Sequence, residues 1–341
     1  MLSLDEIKMI HVEASTRCNS HCPMCSRFTL DGFVNPQLTE TNLTFDTFVK
    51  LFTPKFTSQL DHVYFSGAYG DPCVNIDLPD FVQYLIDYGC KTVNIDTNGG
   101  HRNPDWWAKF ADKKVKINFA IDGTDNETQQ KYRIGVDYDK AINNMKAFIN
   151  AGGKAQWNFI VFKHNEHQVE QARELAAAMG ADFRIKITGR FGNYKDFKVF
   201  KRGEYMFTLE PPVNEKYRHD KIGTAEHNIV TVPFNINDYS YLNDYAISCK
   251  SKQNKELYLG AEGHLVPCCY IGTIVHDRPQ TQHFNSMYNS DDFNLNKHNV
   301  EEIVNLYNKI QQGWGSTIQE NRLMTCAISC GSNPVHTRYI K

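Results

Sequence analysis

The 341-residue chain is 41% hydrophobic, 12% aromatic and 22% charged; this composition excludes disordered, collagen-like and coiled-coil classes and, at roughly 150 residues per domain, suggests about two domains. With 37 basic against 39 acidic residues the net charge is −2, so no basic excess advertises a nucleic-acid or anionic-membrane surface. No apolar run approaches the roughly 18 residues of a membrane span, and the first eight residues carry no secretory signal, which predicts a cytoplasmic protein.

Six short β-branched or aromatic runs, bounded by turn residues, are predicted strands: Met9–Glu13, His62–Phe65, Thr92–Asp96, Lys116–Ile121, Ala155–Phe162 and Asp182–Ile187. Helical patterns alternate with them at Phe45–Leu51, Pro79–Tyr88, Pro104–Phe110, Tyr138–Asn150 and Glu166–Met179. Pro79 and Pro104 suit a first helical position, and Gly152-Gly153 and Gly180 mark two ends. Repeated βα units imply a parallel sheet with right-handed crossovers, closed as a partial barrel or laid flat. Either way, ligands bind at the carboxyl ends of the strands. Residues 191–248 lose the rhythm and read as a wrapping segment. From Cys249 the pattern resumes with a hairpin, Glu256–Leu259 and His264–Val266 around a Gly-Ala-Glu-Gly turn, and a helix over Val300–Ile310. The predicted division is 1–190, 191–248 and 249–341.

The ten cysteines are too many for bland packing. Without a secretory context, clustered cysteines read as metal or redox ligands. Cys18, Cys22 and Cys25 follow the first strand as C-x3-C-x2-C. Three thiolates within eight residues can wrap one compact inorganic centre. Four-iron clusters normally take four thiolates, so three leave one iron open. A structural zinc needs a fourth ligand, and His21 sits awkwardly beside Cys22.

This segment resembles the signature loop of the radical S-adenosylmethionine (SAM) enzymes. The resemblance implies an α/β fold with a partial (βα)6 TIM-type barrel. It implies a [4Fe-4S] cluster on Cys18, Cys22 and Cys25, whose open iron chelates SAM. One electron then cleaves SAM to methionine and a 5′-deoxyadenosyl radical, which takes a hydrogen atom from substrate. Met24, before the third cysteine, is implied to pack near the adenine. Gly70-Asp71-Pro72 is similar to the family's Gly-Gly-Glu-Pro motif, with Asp71 for the glutamate that meets the SAM ammonium. Asn98 and Asp122, ending strands three and four, stand where relatives contact the methionine end or ribose. Arg133 is a candidate partner of the SAM carboxylate. The plainer readings are a turn for the first motif, a helix cap for Asp122 and a solvated charge for Arg133.

Cys249, Gly263 and Cys268 follow a C-x(9–15)-G-x4-C pattern, and Cys326 and Cys330 give C-x3-C. This resembles the SPASM and twitch extensions of the same superfamily and implies a small carboxyl-terminal module. Five cysteines there, counting Cys269, suit one auxiliary [4Fe-4S] cluster on Cys249, Cys268, Cys326 and Cys330, with structural zinc as the rival. Cys73, following Pro72, is a candidate hydrogen donor or pocket wall, or simply a small buried hydrophobe. His164, Asn165 and Arg190, at the ends of strands five and six, are candidate substrate contacts. The predicted function is hydrogen abstraction from a peptide or small-molecule substrate, with flavodoxin or ferredoxin as reductant. The rivals are a small-molecule dehydrogenase of sugars, alcohols or nucleosides, and a zinc-stapled or iron–sulfur protein without radical chemistry.

Overall fold

The computed structural model describes residues 3–192, 194–219, 235–272, 279–331 and 338–340. Six parallel strands form its centre: β1 (Met9–Val12), β2 (His62–Phe65), β3 (Thr92–Thr97), β4 (Val115–Ala120), β5 (Lys154–Ile160) and β6 (Asp182–Ile187). They lie in sequence order, each paired in parallel with the next. Parallel neighbours need crossover connections, and helices supply them at Phe45–Leu51, Leu78–Asp87, Pro104–Ala108, Tyr138–Asn150 and Val169–Met179. The sheet does not return on itself, so it is a partial barrel rather than a closed one.

Local chemistry fixes the helix ends. Thr44, Asn103 and Asp137 each accept a backbone N–H from the first turn they cap. Gly180, at φ 80°, closes the helix ending at Met179. Pro79 occupies the second position of its helix, which starts at Leu78. The segment predicted as one helix from Glu166 begins as a 3-10 turn over Glu166–Gln168 and becomes α-helical at Val169.

Period-two alternation gives the sheet two unlike faces. Val63, Phe65, Val93, Ile95, Ile117, Phe119, Trp157, Phe159 and Ile185 are buried in one cluster with the helical Phe48, Phe81, Leu85 and Phe148. The intervening residues are polar: Tyr64, Asp96, Asn118, Asn158 and Lys186. Tyr64 hydroxyl donates to Asp96, Asn118 Nδ2 reaches Asp96 Oδ1 at 2.6 Å, and Gln156 Nε2 reaches Asn158 Oδ1 at 2.6 Å. Helices cover the apolar face, and the polar face lines the barrel interior.

The segment 191–248, read as aperiodic, carries a hairpin of β7 (Phe197–Lys201) and β8 (Glu204–Leu209). Its turn puts Arg202 at φ 52° and Gly203 at φ 85°. That is the left-handed pair of a two-residue hairpin turn, usually Asn-Gly or Asp-Gly, and arginine hid it. Phe197, Val199 and Leu209 pack in one apolar cluster with Cys22 and Met24. This stretch therefore walls the first cysteine loop. Residues 220–234 of it lie outside the described residues.

The carboxyl-terminal hairpin forms as β9 (Glu256–Leu259) and β10 (Leu265–Val266). β9 pairs in parallel with β1, Met9 opposite Glu256, so it extends the main sheet. A short β11 (Arg338–Ile340) runs antiparallel to β6 at the other edge. The helix predicted from Val300 runs on to Gln312.

Candidate active site

Cys18, Cys22 and Cys25 line one cavity of about 200 Å³ at the carboxyl ends of β2 to β6. The loop bearing them is shaped by its own backbone: His21 N–H donates to Ile134 O at 2.8 Å and Cys25 N–H to Cys22 O at 3.0 Å. Arg27 pins the loop's far side, donating to Thr16 O and pairing with Glu40.

The opposite wall is the loop Ser66–Asp71 after β2. Gly70 must be glycine, because a Cβ there would stand 2.0 Å from Ser15 O. Asp71 lines the cavity, yet its carboxylate accepts Cys73 N–H at 3.0 Å, Asn98 N–H at 2.7 Å and Thr97 Oγ1 at 2.9 Å. It clamps the ends of β2 and β3 together. Burial pushes its carboxyl up despite those bonds. Asn98 Nδ2 donates to Asn19 Oδ1 at 2.9 Å and lies 3.8 Å from Cys18 Sγ.

Two guanidinium groups face the thiols. Arg133 Nε pairs with Asp122 Oδ2 at 2.6 Å, and its Nη1 lies 3.6 Å from Cys22 Sγ. Burial opposes its charge, but Asp122 and Cys22 outweigh that and push the guanidinium up. Arg190 Nη1 donates to Met24 O at 3.1 Å and Tyr132 Oη at 3.3 Å. Burial raises the Cys18 and Cys25 thiols, and neighbouring Cys22 adds to it. Thiolates here need positive charge nearby, so this donor set fits an iron–sulfur cluster.

Of the predicted SAM and substrate contacts, the structure brings Gly70, Asp71, Asn98, Arg133 and Arg190 onto this cavity, and Cys73, His164, Asn165, Pro72, Met24 and Asp122 off it. Cys73 is fully buried in the main core, held there by the 3-10 turn Pro72–Val74. Asn165 spends its amide on local backbone: Nδ2 donates to Asp122 O and Ile160 O at 2.9 Å each, and Oδ1 accepts Phe162 N–H at 2.7 Å. Met24 packs in the apolar cluster behind the cysteines. Asp122 supports Arg133 and accepts Ile160 N–H at 2.6 Å. Wall residues that escaped the sequence reading include Asp96, Ile160, Lys186 and Thr188. For Asp96 and Lys186, an inward position in a period-two strand was the available signal. Burial pushes the Lys186 ammonium down, against the pull of Asp96.

His164 stacks on Phe162 at 5.5 Å, with its Nε2 buried and unbonded. Burial lowers its pKa from 6.5 to about 4. The unfolded chain takes up the proton first as pH falls, so stability is full above about 6.5 and is lost towards 4. The loss is about 1–3 kcal/mol after allowance for partial exposure. A His164→Phe variant should narrow the gap between urea midpoints at pH 4.5 and 7.5; an unchanged gap would remove His164 from the acid lability.

A second cavity gathers Cys249, Cys268, Cys326 and Cys330 among Leu257, Ile271, Tyr307, Ile310 and Trp314. Cys269 does not line it. The Cys330 thiol is lowered to about 6, first by a hydrogen bond from Cys249, while burial pushes Cys268 up to about 12. Among the described residues no three His, Cys, Asp or Glu side chains are drawn closely enough to hold a single metal ion. All ten cysteines are free thiols.

Residues 12–176, which run from β1 through most of the barrel and include the three-cysteine mouth, match the family model of the Radical SAM superfamily. The chain is similar to the cysteine-type anaerobic sulfatase-maturating enzyme of Clostridium novyi, 26% identical over 157 residues, 42% of this chain and 40% of that protein. It is also similar to a probable GTP 3′,8-cyclase of Sulfurisphaera tokodaii, 29% identical over 115 residues, 33% of this chain and 36% of that one. The matches thus span well under half of either relative. Among solved structures, Streptococcus suis SuiB bound to S-adenosylmethionine shares the fold at a TM-score of 0.51 and 15% identity, over 94% of this chain and 77% of that one. Native anSMEcpe with bound AdoMet gives 0.51 at 11% identity, over 86% and 79%. No helix among the described residues is long and apolar enough to cross a membrane.

Proposed function

We propose that the chain is a radical SAM enzyme acting on a peptide or small-molecule substrate, with a [4Fe-4S] cluster on Cys18, Cys22 and Cys25. The carrying observation is that these three thiols open onto one cavity with Gly70, Asn98, Arg133 and Arg190. When bound, the cluster and SAM supply one-electron cleavage to a 5′-deoxyadenosyl radical. The chain does the rest. The Ser66–Asp71 loop offers backbone to the SAM ammonium, Asn98 and Arg133 orient its methionine end, and Arg190 fixes the cysteine loop through Met24 O. Tyr132 and Ile160, which line the cavity and cluster beside Cys22, keep water from the reacting carbon.

Cys249, Cys268, Cys326 and Cys330 are assigned to one auxiliary [4Fe-4S] cluster in a twitch-type module over 249–341. It assists oxidation of the substrate radical or binds substrate. Residues 1–190 are the radical SAM core, and 191–248 join the two. A peptide substrate is favoured because the SuiB fold is also solved with its precursor peptide SuiA, at a TM-score of 0.50 and 15% identity, over 94% of this chain and 76% of that one. The reductant is flavodoxin- or ferredoxin-like, and a reducing cytoplasm suits ten free thiols.

Anaerobic reconstitution tests the reading. Two four-iron clusters and 5′-deoxyadenosine released under dithionite are expected; bound zinc without SAM cleavage would sink it. A Cys330→Ala variant should lose about one cluster's iron and keep SAM cleavage. Unchanged iron would refute the auxiliary assignment.

A further inference from the structure

Glu13 follows β1 and is only 2% exposed. Its Oε1 accepts the backbone N–H of Tyr69 at 2.7 Å and of Gly70 at 3.2 Å; its Oε2 accepts the Tyr258 hydroxyl at 2.5 Å. A buried carboxylate is costly unless its lone pairs are used, and three donors to one carboxylate make strong charge-assisted bonds. The partners come from two places. Tyr69 and Gly70 belong to the loop that walls the three-cysteine cavity. Tyr258 lies in β9, against the helix Cys269–Gly272 that starts just after Cys268. That contact is tight: a Cβ on Gly272 would stand 2.3 Å from the Tyr258 ring.

We infer that Glu13 is a positioning residue for SAM: it holds the Ser66–Asp71 loop in its binding shape, and Tyr258 ties that loop to the segment bearing Cys268. The inference rests on the reading of the cavity as a SAM site. Glu13 touches no cavity occupant, since its oxygens point at backbone and at Tyr258. It acts by fixing which way the N–H and C=O groups of residues 68–70 face. An amide in place of the carboxylate leaves Tyr69 and Gly70 N–H a neutral acceptor instead of a charged one and turns an NH2 group towards the Tyr258 hydroxyl, so the loop is held less firmly.

The full chain, reconstituted anaerobically, is titrated with SAM by calorimetry, with iron content and 5′-deoxyadenosine release at saturating SAM measured alongside. Glu13→Gln should weaken SAM binding about tenfold, the scale of losing a partner that orients a ligand-binding group. Tyr258→Phe, which keeps the ring, should weaken it about threefold. Both should leave iron content unchanged and saturated turnover within about twofold, so the effect falls on affinity alone. Should Glu13→Gln not fold, Tyr258→Phe decides. Wild-type SAM affinity in the folded variants would overturn the inference, as would iron lost in step with affinity. Wild-type protein that binds no SAM would instead refute the cavity reading beneath it.

Discussion

Replacing Cys22 by alanine should abolish SAM cleavage, by more than about 100-fold, the upper end of what loss of a supporting partner alone costs a metal site. Cys22 is the buried member of the three, with Ser20 Oγ 3.0 Å from its sulfur and Arg133 Nη1 at 3.6 Å. That environment compensates a thiolate and nothing larger than a methyl group replaces it, so the fold should persist. Release of 5′-deoxyadenosine under dithionite is the assay, and the circular dichroism melt is the control. A variant that still cleaves SAM would move the active cluster elsewhere. A variant that loses cleavage by unfolding would leave the melt, not the chemistry, as the explanation, and Cys22→Ser would then repeat the test with a polar side chain.

The second large effect is on stability. Asp122 is fully buried and its carboxylate depends on Arg133, 2.6 Å away. Removing one partner of a buried pair strands the other charge, at about 3–5 kcal/mol. Arg133→Met should therefore lower the urea midpoint sharply. Asp122→Asn added to it should restore most of the loss, because the stranded charge goes and the amide oxygen still accepts Ile160 N–H. Equal destabilisation in single and double variants would show that Arg133 contributes through packing, not through charge.

Much of the barrel was legible because its signals are local. Asp182–Ile187 and Tyr138–Asn150 have the predicted bounds, since alternation and caps act over a few residues. The cysteine loop was legible for the same reason. Asp71 was legible as a site residue but not as a clamp, because its partners Thr97 and Asn98 lie at the end of the next strand and no spacing in one chain segment reveals them. Asn165 turns away from the mouth where it was expected to face substrate, while Cys73 takes the plainer of its two readings, a small buried hydrophobe. A loop residue after a strand can turn its side chain to the mouth or back into its own backbone, and the demand of Phe162 N–H for an acceptor decided it. Cys268 and Cys269 are adjacent in sequence, and only the start of a helix at Cys269 sends the two thiols different ways. The hairpin at 197–209 was missed because Arg202 takes a backbone conformation that sequence assigns to asparagine or glycine.

The pairing of β9 with β1 also bears on synthesis. Met9 waits for Glu256, so the first strand leaves the ribosome long before its neighbour on that side. At 5–20 residues per second the interval is roughly 10–50 s. During it, β1 presents a row of unpaired N–H and C=O groups, the kind of open edge that recruits other strands. The nascent barrel is thus half-templated, and the loop that carries Cys18, Cys22 and Cys25 hangs from its least protected strand. Settling of the first cysteine loop and arrival of the last quarter of the chain become linked in time, and a chaperone would find its natural window there.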